Sequence, residues 1–133
     1  MRRLLFFLLS ISLIACSSDD TPDRVVYDIT YTAAVANGAT LNKVQYRDSN
    51  GDLVELENVS SPWSISLRVR AGLALEAAAF ADVPTGGSVS ITAVWKPDGG
   101  LSQNETETLS NTEPNTVINN GRVDIEGRTL PDL

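Results

Sequence analysis

The sequence predicts an all-β domain built as an antiparallel sandwich. Three observations predict it. From Arg24 onward, apolar and polar residues alternate with period two, the mark of strands buried on one face. The alternating runs are short, and glycine, asparagine or proline signals stand between most of them. Only the stretch Leu73 to Ala81 could be read as helical. Its short length between Gly72 and Pro84 favours a strand, although alanine is a poor strand former.

The first strand is expected at about 24–36, with Val25, Tyr27, Ile29, Tyr31, Ala33 and Val35 on one face and Asp28, Thr30 and Thr32 on the other. Asn37-Gly38 follows, a dipeptide suited to positive φ and tight turns. A second strand at about 41–48 and a third at about 52–58 are joined by Asn50-Gly51, a hairpin signal. The fourth strand is the clearest. Trp63, Ile65, Leu67 and Val69 alternate with Ser64, Ser66, Arg68 and Arg70. A slip of one residue would expose four apolar side chains, each worth roughly 1.5–3 kcal/mol when buried, so the register is well determined. A fifth strand is expected at about 73–81 and a sixth at about 88–96, where Val89, Ile91, Ala93 and Trp95 share a face. Pro97-Asp98-Gly99-Gly100 turns the chain into a seventh at about 101–109. Seven short strands at this spacing point to a two-sheet sandwich of immunoglobulin-like or transthyretin-like type, occupying 24–110. The remainder, 111–133, reads as a polar tail. A small hairpin about Asn119-Asn120-Gly121 is possible there, between Thr116 to Ile118 and Val123 to Ile125.

Residues 1–15 read differently. Arg2 and Arg3 precede an apolar stretch from Leu4 to Ile14, and Leu13-Ile14-Ala15-Cys16 ends it. A membrane span needs about 20 apolar residues, and this stretch meets Ser17, Ser18, Asp19 and Asp20 too early. A basic start, a short apolar middle and a small residue before the cut match a cleaved export signal. The ending resembles the lipobox of bacterial lipoproteins. That resemblance implies that Cys16 is acylated, with fatty chains such as palmitate, and becomes the first mature residue. The segment 16–23 is polar, acidic and broken by Pro22, so it is expected to be a flexible tether. Its start, Cys-Ser-Ser-Asp-Asp, resembles the acidic export tag of Bacteroidota surface lipoproteins. These features imply an outer-membrane lipid anchor, with the body at the cell surface or on the periplasmic face.

Loss of residues 1–15 leaves 133 − 15 = 118 residues, with 8 basic and 17 acidic side chains and a net charge of 8 − 17 = −9. A chain of this length is one domain and buries enough surface for its own core. The charge disfavours nucleic acid and opposes anionic lipid headgroups, so attachment falls to the acyl chains. Cys16 is the only cysteine and there is no histidine. No disulfide can form within the mature chain. The commonest general base and metal ligand is missing.

From Tyr46 to Gly99 the pieces Tyr46-Arg47-Asp48, Asn50-Gly51, Asn58-Val59, Pro62-Trp63-Ser64, Ala71-Gly72-Leu73, Ile91-Thr92 and Asp98-Gly99 recur in order. They resemble the extracytoplasmic domain of the mycobacterial small membrane protein family and its lipoprotein relatives. The resemblance implies a small β-sandwich beside an envelope transporter, assisting export of siderophores and other lipophilic compounds. The chain differs from that family in carrying a lipobox in place of an uncleaved N-terminal helix.

No constellation points to catalysis, and no enzyme, cofactor or metal is expected. Asp48, Asn50 and Asp52 have the one-three-five spacing of a calcium loop, but the EF-hand pattern needs glycine at position six and glutamate at twelve, where Leu53 and Val59 stand. Glu55 and Glu57 fall on the wet face of an edge strand. Ser64 and Ser66 lack a base. Asn58-Val59-Ser60 and Asn104-Glu105-Thr106 match the glycosylation pattern by chance. Trp63 is expected in the core. The functional expectation is a non-catalytic, lipid-anchored envelope lipoprotein, docking onto a transporter or other envelope protein. The alternative is a cell-surface binding module for a glycan or small apolar ligand. That needs exposed rings, for example Phe80 with Trp95.

Overall fold

The computed structural model describes residues 24–132. The expected signal peptide, the tether and Cys16 lie outside them. Eight strands form two four-stranded antiparallel sheets: β1 (Val26–Ala36), β2 (Thr40–Arg47), β3 (Leu53–Glu57), β4 (Trp63–Arg70), β5 (Ala74–Pro84), β6 (Ser88–Pro97), β7 (Gln103–Ser110) and β8 (Val117–Thr129). Sheet A has the order β4-β1-β6-β7 and sheet B the order β3-β2-β5-β8. The all-β sandwich expected from the alternation is what forms. Its order differs from that of immunoglobulin constant domains, where the first two strands are neighbours. Here β1 and β2 lie in opposite sheets.

The inward faces follow the alternation. Tyr27, Ile29, Tyr31 and Ala33 of β1 and Val89, Ile91, Ala93 and Trp95 of β6 are buried, because the register pairs them side by side, as in Tyr31↔Ala93 and Ile29↔Trp95. Across the core lies β5, whose Leu75, Ala77, Ala79, Ala81 and Val83 are all at most 1% exposed. The alanines that weaken the strand propensity of β5 have a packing reason. Packed sheets stand about 10 Å apart, and the tyrosine, tryptophan and isoleucine side chains of sheet A fill that gap only where sheet B presents small residues.

The eighth strand corrects the reading of 111–133 as a tail. No hairpin forms at Asn119-Asn120-Gly121. The strand runs straight through, paired to β5 from Ala74↔Thr129 to Pro84↔Val117. Between Ala81 and Val83 the register shifts by one residue, and Asn120 has φ 48° there. A second shift falls between Leu75 and Ala77, beside Gly127 with φ 71°. These are β-bulges, in which an extra residue with positive φ is absorbed without ending the ladder. Val123 and Ile125 supply the inward face, and Leu130 beyond the strand is buried at 1%. The sandwich therefore extends past residue 110 to Leu130.

All chain turns gather at the two ends. One end holds Arg24, the β2–β3 hairpin, Gly72, the β6–β7 loop and the chain after Thr129. There Ala71 N–H donates to the Val25 carbonyl and Gly72 N–H to that of Leu130, at 2.7 and 2.8 Å. The opposite end holds the β1–β2, β3–β4, β5–β6 and β7–β8 connections. The amino-terminal segment thus joins the body at the first end, with the second end farthest from it.

Candidate functional site

The far end is a polar loop platform centred on Asn111, the one buried polar or charged residue among the described residues, at 2% exposure. Its Nδ2 donates to the carbonyls of Val83 at 2.9 Å and Thr116 at 3.1 Å. Its Oδ1 accepts from Glu113 N–H at 3.1 Å and from the Thr116 hydroxyl at 3.2 Å. Gly86 N–H donates to the Asn111 carbonyl and Asn111 N–H to that of Gly87, at 2.7 and 3.1 Å. Thr85 Oγ1 donates to the Glu113 carbonyl at 2.8 Å and accepts from Thr116 N–H at 3.1 Å. The Asn111 side chain thereby ties the loop 111–116 to β5, while its backbone and Thr85 Oγ1 fasten that loop to the β5–β6 turn.

Two further bonds extend the platform. Asn37 Nδ2 donates to the Gly86 carbonyl at 3.1 Å, holding the β1–β2 turn. Val35 N–H donates to Ser61 Oγ at 3.0 Å, holding the β3–β4 loop. The exposed residues around this hub are small or polar, among them Ser60, Pro62, Glu113, Asn115 and Thr116. Loops on a rigid scaffold are where recognition concentrates. This end can offer a fixed set of hydrogen-bonding groups to a partner.

A smaller feature lies at the opposite end, between β6 and β8. A cleft of about 280 Å³ is lined by Tyr27, Trp95, Pro97, Gln103, Arg128 and Pro131, among others. The Arg128 guanidinium stands 5.3 Å from the Trp95 ring and pairs with Glu105 at 3.2 Å, closing that side of the sandwich between the sheets. Tyr27 Oη donates to the Pro131 carbonyl at 2.8 Å. Trp95 itself is only 4% exposed.

The residues singled out in the sequence do not converge. Asp48 Oδ1 accepts from the N–H groups of Asn50 and Asp52 at 2.8 and 3.0 Å, so the calcium-like spacing is a hairpin turn capped by its own aspartate. Among the described residues no group of three or more acidic, histidine or cysteine side chains converges as a metal site. Glu55 and Glu57 are exposed on β3. Gln45 and the Lys43 ammonium hold the Glu55 carboxyl below the usual glutamate value. Ser64 and Ser66 face outward and bond the hydroxyls of Thr32 and Thr30. Asn104 is exposed on β7, and Asn58 turns the chain after β3 with φ 54°.

The expected pair Phe80 and Trp95 is not a pair. Trp95 points into the core, while Phe80 is half-buried on the outer face of sheet B beneath Lys43, whose Nζ is 4.5 Å from the ring. Trp63, expected in the core, is half-buried at its margin and packs on Tyr46. No motif in the sequence singles out Asn111. The only available signal was its setting in the turn-rich run Ser110-Asn111-Thr112-Glu113-Pro114-Asn115.

One buried titratable group stands out. Tyr31 is 1% exposed, and burial raises its phenol above the ordinary value. The Glu76 N–H that its oxygen accepts at 3.3 Å offsets part of that rise. No helix among the described residues is long and apolar enough to cross a membrane. Comparison with protein-family models, with curated proteins and with solved structures finds no match.

Proposed function

We propose that the chain is a non-catalytic, lipid-anchored envelope lipoprotein whose sandwich docks onto another envelope component through the Asn111 platform. The observation that carries the reading is the position of that platform. It lies at the end of the body farthest from Arg24, where a tether fixed at Cys16 enters. An anchor at one end leaves the pinned loops at the other free to meet a partner. The resemblance of Tyr46 to Gly99 to the mycobacterial small membrane proteins makes an envelope transporter the first partner to seek.

The test is site-directed photocrosslinking in native envelopes, with the probe at Glu113 and, as control, at Glu55 on the outer face of β3. Capture of an export pump at Glu113 and not at Glu55 supports the reading. Capture of the pump equally from both positions, or from neither, overturns it. The anchor has its own test. A Cys16→Ser chain is expected in the soluble fraction, and its retention on membranes removes the lipid anchor from the proposal.

The Trp95 cleft favours a second reading, a surface module for a small apolar ligand. Its walls are largely aromatic and proline side chains, but its volume of about 280 Å³ sits at the lower edge of the usual range of roughly 300–1,000 Å³ for ligand pockets. A ligand there must displace or slide under Arg128. Quenching of tryptophan fluorescence by short-chain lipids or glycans, abolished in Arg128→Ala/Trp95→Phe, would move the assignment to this reading.

A further inference from the structure

The net negative charge of the chain is not evenly spread. Basic residues cluster on the sheet A side of the end where Arg24 enters. Arg68 and Arg70 close β4, Lys96 nearly closes β6, and Arg24 precedes β1; all four are exposed. The register sets Arg68 and Lys96 in one row on either side of Asp28, and Arg70 in the next row beside Val26. Asp28, Asp98 and Asp132 are the acidic residues among them, with Asp98 held by Arg68 at 2.6 Å and the Asp132 carboxylate accepting from Val25 N–H at 3.4 Å, beside Arg24. Four cations against three anions leave this corner net positive in a body whose described residues carry 8 basic and 14 acidic side chains. Asp48 and Asp52 lie at the same end, across on the sheet B side.

Beside the cations stands the most exposed large hydrophobe of the described residues. Leu101, at the tip of the β6–β7 loop, is 86% exposed. Gly99, with φ 73°, lets that loop reverse just before it. An isolated exposed leucine needs no explanation. One next to a cationic corner, at the end where seven residues separate the domain from Cys16, has the composition of an interfacial contact: an apolar side chain at acyl depth with Lys and Arg at headgroup level.

We propose that this corner rests on the anionic phospholipid surface in which the chain is anchored, with Leu101 inserted and Arg24, Arg70 and Lys96 at the headgroups. The contact rests on the lipid-anchor reading above. It fixes the orientation of the body, turning sheet A toward the bilayer and holding the Asn111 platform away from it. The overall charge of the chain opposes anionic lipid, but the corner that meets the lipid does not share that sign. Screening over about 10 Å at ordinary salt lets the local charge dominate.

The experiment uses the full acylated chain, its amino-terminal mass checked first, in vesicles of phosphatidylcholine and of an equimolar mixture with phosphatidylglycerol. A spin label is placed at Leu101→Cys or, at the far end, at Val117→Cys; Val117 is 52% exposed. In the anionic vesicles, a water-soluble relaxation agent is expected to reach position 101 several-fold less than position 117. Arg24→Glu/Arg70→Glu is expected to abolish that difference. Equal access at the two positions, or shielding at both, overturns the oriented contact while leaving the anchor standing. Shielding at 101 that survives the charge reversal overturns the role of the cations. A chain whose Cys16 carries no lipid overturns the anchor and the contact together.

Discussion

The Tyr46 and Trp63 rings meet across the two sheets, their centroids 5.5 Å apart and their planes tilted by 41°. Tyr46 comes from β2 and Trp63 from β4, so the contact closes the sandwich on the side where the edge strands β3 and β4 face each other. Trp63→Ala is expected to lower stability by about 2–4 kcal/mol, from lost apolar burial and the lost ring pair. Trp63→Phe should retain most of it. Urea titration checks this, with Trp95 left as the fluorescent reporter, and a loss below about 0.5 kcal/mol would deny the contact a structural role.

Asn111→Ala removes two donated and two accepted side-chain bonds at once, and leaves the buried Val83 carbonyl without that partner. The expected cost is about 2–3 kcal/mol. Amide exchange should also accelerate at Glu113 and Thr116 while strands β1 and β6 stay protected. Uniform acceleration over the whole domain would show that the platform is not a separable unit.

The alanine face of β5 admits no larger side chain. Ala79 is 0% exposed and pairs with Val44 on one side and Val123 on the other. Ala79→Leu is expected to cost about 1–3 kcal/mol through overpacking, whereas an exposed alanine-to-leucine change such as Ala36→Leu should be near neutral. Thermal unfolding of the two variants makes the comparison.

Tyr31 sets an alkaline limit. Its folded pKa lies above the unfolded value of about 10, so the native state holds the phenol proton more tightly. The stability this contributes is fully present below the unfolded pKa and falls away as pH rises through and beyond it. Denaturation midpoints at increasing alkaline pH should fall more steeply for the native sequence than for Tyr31→Phe. Parallel slopes would mean that the buried phenol does not govern the loss.

The first seven strands were legible because each needs only its own alternation. Trp63 to Arg70 and Val89 to Trp95 carry the whole signal locally. The eighth was not, because Asn119-Asn120-Gly121 has the composition of a hairpin turn and the choice between turn and bulge is made by β5, which offers a ladder to continue. Phe80 is out of phase with Leu75, Ala77 and Ala79, so its outward position follows from the alternation of β5. The Lys43 side chain that covers it could not be foreseen from a residue 37 positions away. Asn111 was illegible for the same reason. Its identity matters through Val83, which lies 28 residues earlier, and no local pattern announces such a partner.

Strand β8 is an outer strand of sheet B, and Leu130 just beyond it plugs the end where the body begins. Residues 24–110 alone therefore lack one edge of the core and the plug at its entrance, so a body truncated before β8 cannot close.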